Sequence, residues 1–256
     1  QLPSIGGDAD IAQYLPVLPG IVSTGDQGGQ IYIRGGAPVQ NKIMIDGMTI
    51  FNPFHSIGIF SVFETEAIKT IDVNSAGFNV EHGGRVSAIV DIKTKDGNKK
   101  RFGGVVGVSP FNAKAVLEGP LVKLNEEKAF SSSFLVSYKR SLLDLTSKSL
   151  YSYINKDGLP FSFEDYYGKI NFGFDNGSKI DVFGFKFKDR VDYTKSTNFL
   201  WDNAGGGINF VLNPTGSNFN IAVNANLTNY SIQLNELEQN PRTSSLNNYF
   251  VGANFT

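Results

Sequence analysis

Cysteine is absent from the 256 residues, and histidine (two), methionine (two) and tryptophan (one) are scarce. Without thiols the chain can form no disulfide, no thiolate nucleophile and no cysteine-ligated zinc site. His55 and His82 stand far apart, outside any His-x-x-Glu-His type of spacing, so no metal site is expected from them. Charge of one sign is also lacking. The formal net charge is −1 and no basic run exceeds Lys99-Lys100-Arg101, which excludes a polyanion-binding surface and with it nucleic acid as a partner. No stretch approaches the roughly 20 apolar residues of a membrane helix, so any membrane crossing would have to be made by strands. No Gly-x-Ser-x-Gly elbow occurs. Gly25-Asp26-Gln27-Gly28-Gly29 lacks the Lys-Ser/Thr that completes a phosphate loop. The pairs Asp8/Asp10 and Glu64/Glu66 read as helix-start residues. Neither an enzyme, nor a cofactor, nor a resident metal is expected.

What is plentiful is glycine (28) and phenylalanine (21). The first hundred residues are organised around residues 30–50. Two strand-like runs, Gln30–Arg34 and Lys42–Asp46, flank a Gly-Gly-Ala-Pro turn, and Asp46-Gly47 closes the unit. Ile31, Ile33, Ile43 and Ile45 alternate onto one face. Asp8 is expected to cap a short helix, Ala9–Leu15, ended by Pro16 and Pro19. Ser61–Ala67 reads as a helical turn before a strand at Ile68–Val73. Asp96-Gly97-Asn98 and Lys99–Arg101 mark the boundary to a different regime.

From Phe102 the helical period disappears. Strands are expected at Phe102–Ser109, Asn112–Gly119, Ala129–Lys139, Glu164–Phe174, Lys179–Lys188, Asn198–Leu212, Asn218–Leu234 and Asn247–Phe255. Several approach the 9–11 residues that cross a bilayer when tilted. Short turns at Ser109–Asn112, Leu121–Lys128, Asp175–Ser178 and Asn213–Ser217 alternate with longer loops at Arg140–Phe163, Asp189–Thr197 and Asn235–Leu246. That is the outer-membrane barrel arrangement. In Asn218–Ile232, Phe219, Ile221, Val223, Ala225 and Leu227 share one face, with Asn220, Asn224, Asn226 and Thr228 opposite. In Ile180–Lys188, Phe183, Phe185 and Phe187 lie opposite Lys186 and Lys188. Apolar-out, polar-in alternation suits a strand between lipid and a wet lumen, so arginine at Val223 is expected to be costly and at Asn224 cheap. Phe130, Tyr138, Tyr166, Tyr167, Trp201, Tyr230 and Tyr249 near strand ends would form interfacial girdles. A soluble sandwich with edge aromatics has the same alternation.

Four ordered motifs decide between these readings. Ile33-Arg34-Gly35, Ile45-Asp46-Gly47, Ala67–Val73 and Gly83–Lys95 follow one another as in the plug domain of TonB-dependent outer-membrane receptors. Over roughly residues 4–98 the chain resembles that domain. Ala113–Leu121, ending in Gly-Pro-Leu, resembles the start of the family's barrel wall. The resemblance implies a mixed α/β plug domain (1–98) followed by all-β transmembrane barrel strands (99–256). About eight of the family's twenty-two strands would be present, an incomplete barrel, since eight strands close around little more than their own side chains. It also implies an outer-membrane location, an extracellular substrate and plug-gated, energy-coupled uptake. The TonB complex would act through a segment N-terminal to the plug. The chain starts at Gln1 without a charged start or apolar stretch, so it is expected to be a piece of a longer protein.

Within the family, the Gly-Gly-Ala-Pro and Asn-Pro-x-His variants most resemble Bacteroidota receptors with a carboxypeptidase-regulatory-like N-terminal domain. The starch-utilisation type carries a Ser-Ala-x-Ala-x-Tyr-Gly stretch where this chain has Ala76–Gly84, which weighs against a glycan substrate and a lidding surface lipoprotein. The resemblance makes the apical loop with Phe51, Phe54, His55, Ile57 and Phe60 the candidate ligand site, packing on plug or wall being the alternative. Arg34 and Arg85 would lock plug to wall through carboxylates on strands beyond Thr256, or else cap plug carbonyls. A plugged barrel serving as a structural or assembly subunit of a larger outer-membrane complex would look the same.

Overall fold

The protein is described by a computed structural model covering residues 4–5, 8–23, 30–55, 58–75, 77, 83–124, 129–150, 153, 158–194, 197–216, 219–237 and 239–256. The first domain begins with a two-stranded pair, β1 (Ser4–Ile5) and β2 (Asp8–Ala9). A short helix, α1 (Ile11–Tyr14), follows, and Pro16 turns it into a 3-10 segment, Leu15–Val17. β3 (Ile21–Ser23) pairs with β4 (Ile31–Ile33). The main sheet has β5 (Asn41–Ile45), β6 (Met48–Ile50), β7 (Ile68–Asn74) and β8 (Ala88–Thr94) in the order β6-β5-β8-β7, with β5 and β8 parallel. Ile31, Ile33, Ile43 and Ile45 all reach its core, as their alternation predicts.

Two local expectations change. The helix cap is Asp10, not Asp8, because Asp8 is drawn into β2 while Asp10 stays extended and accepts the Ala12 amide at 2.8 Å. The helical turn expected over Ser61–Ala67 is confined to the 3-10 segment Thr65–Ala67.

The second part is one antiparallel meander. Its strands are β9 (Gly103–Val108), β10 (Asn112–Val122), β11 (Phe130–Ser141), β12 (Phe161–Phe174), β13 (Lys179–Thr194), β14 (Thr197–Leu212), β15 (Ile221–Glu236) and β16 (Gln239–Phe255), each paired with its chain neighbours. All eight expected strands form. Two of the expected loops do not. The β13–β14 ladder continues through Asp192↔Asn198 to Thr194↔Thr197, and β15–β16 to Glu236↔Gln239, so Asp189–Thr197 and Asn235–Leu246 are strand almost throughout. Polar residues dominate both stretches in sequence, so they lack the alternation by which a strand is recognised. A 16-residue strand such as β14 is roughly 50 Å long, well beyond an apolar band of about 25 Å. The Arg140–Phe163 connection contains a second helix, α2 (Leu143–Leu150), anchored by buried Leu143 and by Thr146 Oγ1 donating to the Pro110 carbonyl at 2.6 Å.

The first domain sits against one face of this sheet. The opposite face carries Val136, Ile170, Val182, Ile208 and Leu227, all well exposed. Phe183, Phe185 and Phe187 do not join them. They point inward and are buried, Phe187 edge-on to Phe63 of the first domain at 6.4 Å. Glycines on β14 make room: a Cβ on Gly205 would lie 2.7 Å from the Phe185 ring, and one on Gly207 3.0 Å from Phe183. Lys186 and Lys188 therefore face outward, Lys186 pairing with Asp202 at 3.5 Å.

Candidate functional site

The domain and the sheet meet through buried charge. One cluster forms where the loop after β6 folds back, with His55 N–H donating to the Phe60 carbonyl at 2.9 Å and Gly58 N–H to the His55 carbonyl at 2.7 Å. That turn drives His55, 1% exposed, into the sheet. Its ring stacks on Phe163 at 3.8 Å, Nε2 lies 2.9 Å from Asp165 Oδ2, and Nδ1 lies 3.6 Å from Asp189 Oδ2. The last separation is that of an ion pair, not a hydrogen bond. Burial alone would lower the His55 pKa, but Asp165 and then Asp189 outweigh it and raise it to about 9. The imidazole is thus an imidazolium at neutral pH.

Beside it, Lys139 of β11 (4% exposed) donates to the carbonyls of Ser61 (2.7 Å) and Phe63 (3.2 Å). Its Nζ is 3.7 Å from Asp165 and 3.9 Å from Asp10. Burial pushes the Asp10 carboxyl up, while Lys139 and the Ala12 and Ser61 amides act against that shift.

A second cluster surrounds Asp46, a non-glycine residue at φ +48° in the turn after β5. Asp and Asn are the side chains that best tolerate this left-handed conformation. Its carboxylate accepts from Thr94 N–H (3.1 Å), Thr94 Oγ1 (2.7 Å) and the Tyr167 hydroxyl, with Lys169 Nζ at 3.6 Å. Lys169 also pairs with Asp96 at 3.2 Å, and Lys179 with Asp181 at 3.1 Å. Burial works to raise the Asp96 pKa, but Lys169 and Lys179 hold it below the usual carboxylate value. A third link joins Lys114 of β10 to Glu64 at 3.3 Å. The sheet thus offers lysines to carboxylates of the domain, and at His55 the polarity reverses. Removing one partner from a buried pair of this kind leaves an uncompensated charge and is strongly destabilising.

Of the apical-loop residues, Phe54, His55 and Phe60 are sealed at the domain–sheet contact, while Phe51 is half-buried beside Tyr230 at 6.2 Å. Ile57 lies outside the described residues. Arg34 is exposed at φ +49°, and Arg85 Nη1 donates to the Gly84 carbonyl at 2.8 Å. Among the described residues neither arginine pairs with a carboxylate. Sequence reasoning passed over Lys139, Lys169 and Asp165. Their signal was a lone charge at a plug-facing position of a strand, readable only once the facing is known.

Residues 3–89 match the family profile of the TonB-dependent Receptor Plug Domain. The first domain thus matches a TonB-dependent receptor plug. The plug and sheet together are similar to solved outer-membrane receptor structures. The FrpB iron transporter from Neisseria meningitidis (F3-3 variant) aligns at 14% identity and TM-score 0.64, over 98% of this chain and 43% of its own. The hemophore receptor HasR of Serratia marcescens, a double mutant in complex with its hemophore HasA and heme, aligns at 12% identity and TM-score 0.66, over 95% and 38%. The outer membrane transporter YddB from Escherichia coli aligns at 13% and 0.64, over 98% and 43%. The chain spans about two fifths of the length of these structures, and the likeness is one of fold. No curated protein sequence matches it.

The plug's seating should depend on pH through His55. A histidine whose pKa rises on folding contributes fully below its unfolded value near 6.5 and loses that contribution as pH climbs through about 9. The unfolding midpoint of the full-length protein is expected to fall between pH 6.5 and 9.5, and the His55→Gln variant should show a flatter profile. Parallel profiles would mean that His55 is not charged in the interface.

Proposed function

We propose that this chain is the plug (residues 1–98) and part of the wall (99–256) of a TonB-dependent transporter in a bacterial outer membrane, of the Bacteroidota type with a carboxypeptidase-regulatory-like N-terminal domain. The wall closes with further strands toward a total of twenty-two. Substrate enters from outside, and a TonB complex acting on a segment before the plug releases it. One observation carries this reading. A plug-type domain is seated by buried ion pairs on one face of an antiparallel sheet whose other face is an apolar band. Such a seat blocks a pore yet can be broken pair by pair. Among the described apical residues Phe51 has surface left to meet a ligand, while Phe54, His55 and Phe60 transmit that contact to the wall. Arg34 and Arg85 add a second lock to carboxylates of the completed wall.

The test is conductance in planar bilayers. The full-length protein is expected to be closed, and a variant deleted for the plug to form a large, stable pore. A folded plug-less barrel that conducts nothing would overturn the proposal. A structural subunit would conduct without its plug but show no energised uptake.

The apolar band makes its own prediction. Val223 lies on the face away from the plug, so Val223→Arg should cost about 2–4 kcal/mol of insertion stability if it sits near mid-bilayer. Asn224→Arg, expected from sequence to be cheap, is not. The Asn224 amide lies under the Asp46–Gly47 turn, 2.6 Å from where a Gly47 Cβ would be. The two variants should fail differently: Val223→Arg in membrane insertion, Asn224→Arg in plug seating with insertion intact, both read by heat-modifiable gel migration and protease protection.

A further inference from the structure

The plug's grip on the wall is uneven. Among the described residues its ion pairs fall on β10–β13. On β14 the plug-facing positions are Asn203, Gly205, Gly207 and Asn209, and β15 sets Asn224, Asn226 and Thr228 beside them. None of these seven is a carboxylate or a base. The contacts made here are amide hydrogen bonds to the plug backbone: Asn209 Nδ2 donates to the Asp46 carbonyl at 3.0 Å and Asn226 Nδ2 to the Gly47 carbonyl at 3.1 Å.

Part of this strip is polar, buried and unsatisfied. Among the described residues Asn203 (3% exposed) has no partner for either amide atom, and the same holds for Asn226 Oδ1 and Thr228 Oγ1. Buried polar atoms almost always have a partner, so groups left over in a row call for water or a hydrogen-bonding ligand. The three lie at successive levels of the paired strands, since Thr228 is opposite Gly205 and Asn226 opposite Gly207. At the upper end a cavity whose lining includes Asn52, His55, Lys188, Asp189, Asn203 and Tyr230 has room for about one water. At the lower end the strip reaches the Asp46–Gly47 turn, roughly 20 Å along β14.

We propose that the β14–β15 seam is a hydrated track on which an uncharged, hydrogen-bonding solute passes the plug. The plug parts from this face while its ion pairs hold it to β10–β13. The assignment rests on the transporter reading. Neutral amide contacts give way before buried ion pairs, so opening starts here. Between the His55–Asp189 pair at the upper end and Asp46 at the lower, an ion on the track would lose its hydration with no counter-charge beside it, whereas a neutral polar solute finds donors and acceptors along the way.

This stretch holds no cysteine, so single thiols can be placed in the full-length protein in outer-membrane vesicles, with native cysteines elsewhere, if any, replaced. The Asn203→Cys and Thr228→Cys variants are compared with Ser137→Cys, a buried plug-facing position on β11, with Asn226→Cys replacing whichever seam variant fails to fold. The probes are a neutral hydroxyethyl methanethiosulfonate and its trimethylammonium and sulfonate counterparts. Without any energy source, the neutral probe is expected to label the seam variants roughly tenfold faster than Ser137→Cys, and roughly tenfold faster than either charged probe does. Equal rates at all positions, charged probes reacting as fast as the neutral one, or seam thiols that stay unlabelled in folded protein would each overturn the track. The transporter reading is judged separately, by conductance. A track that fails beside a conducting plug-less pore leaves that reading standing, whereas a non-conducting one overturns the solute assignment with it.

Discussion

Lys139→Met in the full-length protein is expected to weaken plug seating by about 3–5 kcal/mol, the range for leaving a buried charge without its partner. Methionine fills much of the lysine's volume, so the loss is electrostatic rather than a cavity. The Ser61 and Phe63 carbonyls lose their donor, and Asp10 and Asp165 lose the ammonium that lies within 4 Å of both. Asp10 is the more exposed to the change, because burial already raises its pKa and Lys139 is the foremost influence opposing that. It should then take up a proton and become a weaker acceptor for the Ala12 and Ser61 amides. A second substitution separates the charge effect from general disruption. Asn at position 10 can still cap α1, so Lys139→Met with Asp10→Asn should recover part of the loss although it changes more of the site. Protease protection of the plug in folded protein reads both. A Lys139→Met plug as protected as wild type would show that the pair carries no seating energy.

Much of this architecture is legible in the sequence where the signal is local. Ile31, Ile33, Ile43 and Ile45 announce the plug core, and the Asp175–Ser178 turn announces the β12–β13 hairpin, because neighbours in the chain supply all that is needed. What alternation leaves open is which face is which. Phe183, Phe185 and Phe187 look like lipid-facing residues until Gly205 and Gly207 are known to lie beside them, a matter of register with the next strand. The capping of α1 is similar. Asp8 and Asp10 are equivalent by propensity, and the Ser61 amide, which donates to Asp10 at 2.9 Å across the plug, favours one of them. The site itself was only half visible. His55 stands out in its loop, but the carboxylate that gives it a role is 110 residues away in sequence. No spacing rule reaches that far without a fold.

The other large effect is expected at Asp46, where backbone strain and a buried network coincide. Substitutions there can tell the two apart. Asp46→Asn keeps a residue suited to φ +48° and one oxygen for the Thr94 amide and Lys169, but it turns the other acceptor into a donor facing the Thr94 and Tyr167 hydroxyls. About 1–2 kcal/mol should be lost. Asp46→Gly relieves the backbone entirely and removes the carboxylate acceptors, leaving the Thr94 amide and one hydroxyl of the Thr94–Tyr167 pair buried without one. About 3 kcal/mol is expected. Asp46→Ala suffers the same loss plus the left-handed penalty of about 1–2 kcal/mol, and should be the worst. Lys169 softens none of this, since losing the Asp46 carboxylate leaves it a buried cation with Asp96 and the more distant Asp181, at 3.2 and 4.0 Å in the native chain, as its remaining partners. The predicted order of the unfolding midpoints is therefore wild type, Asn, Gly, Ala. If Gly instead matched wild type while Ala alone fell, the turn geometry would be all that Asp46 supplies, and the hydrogen bonds between plug and wall at this point would add nothing to the seat.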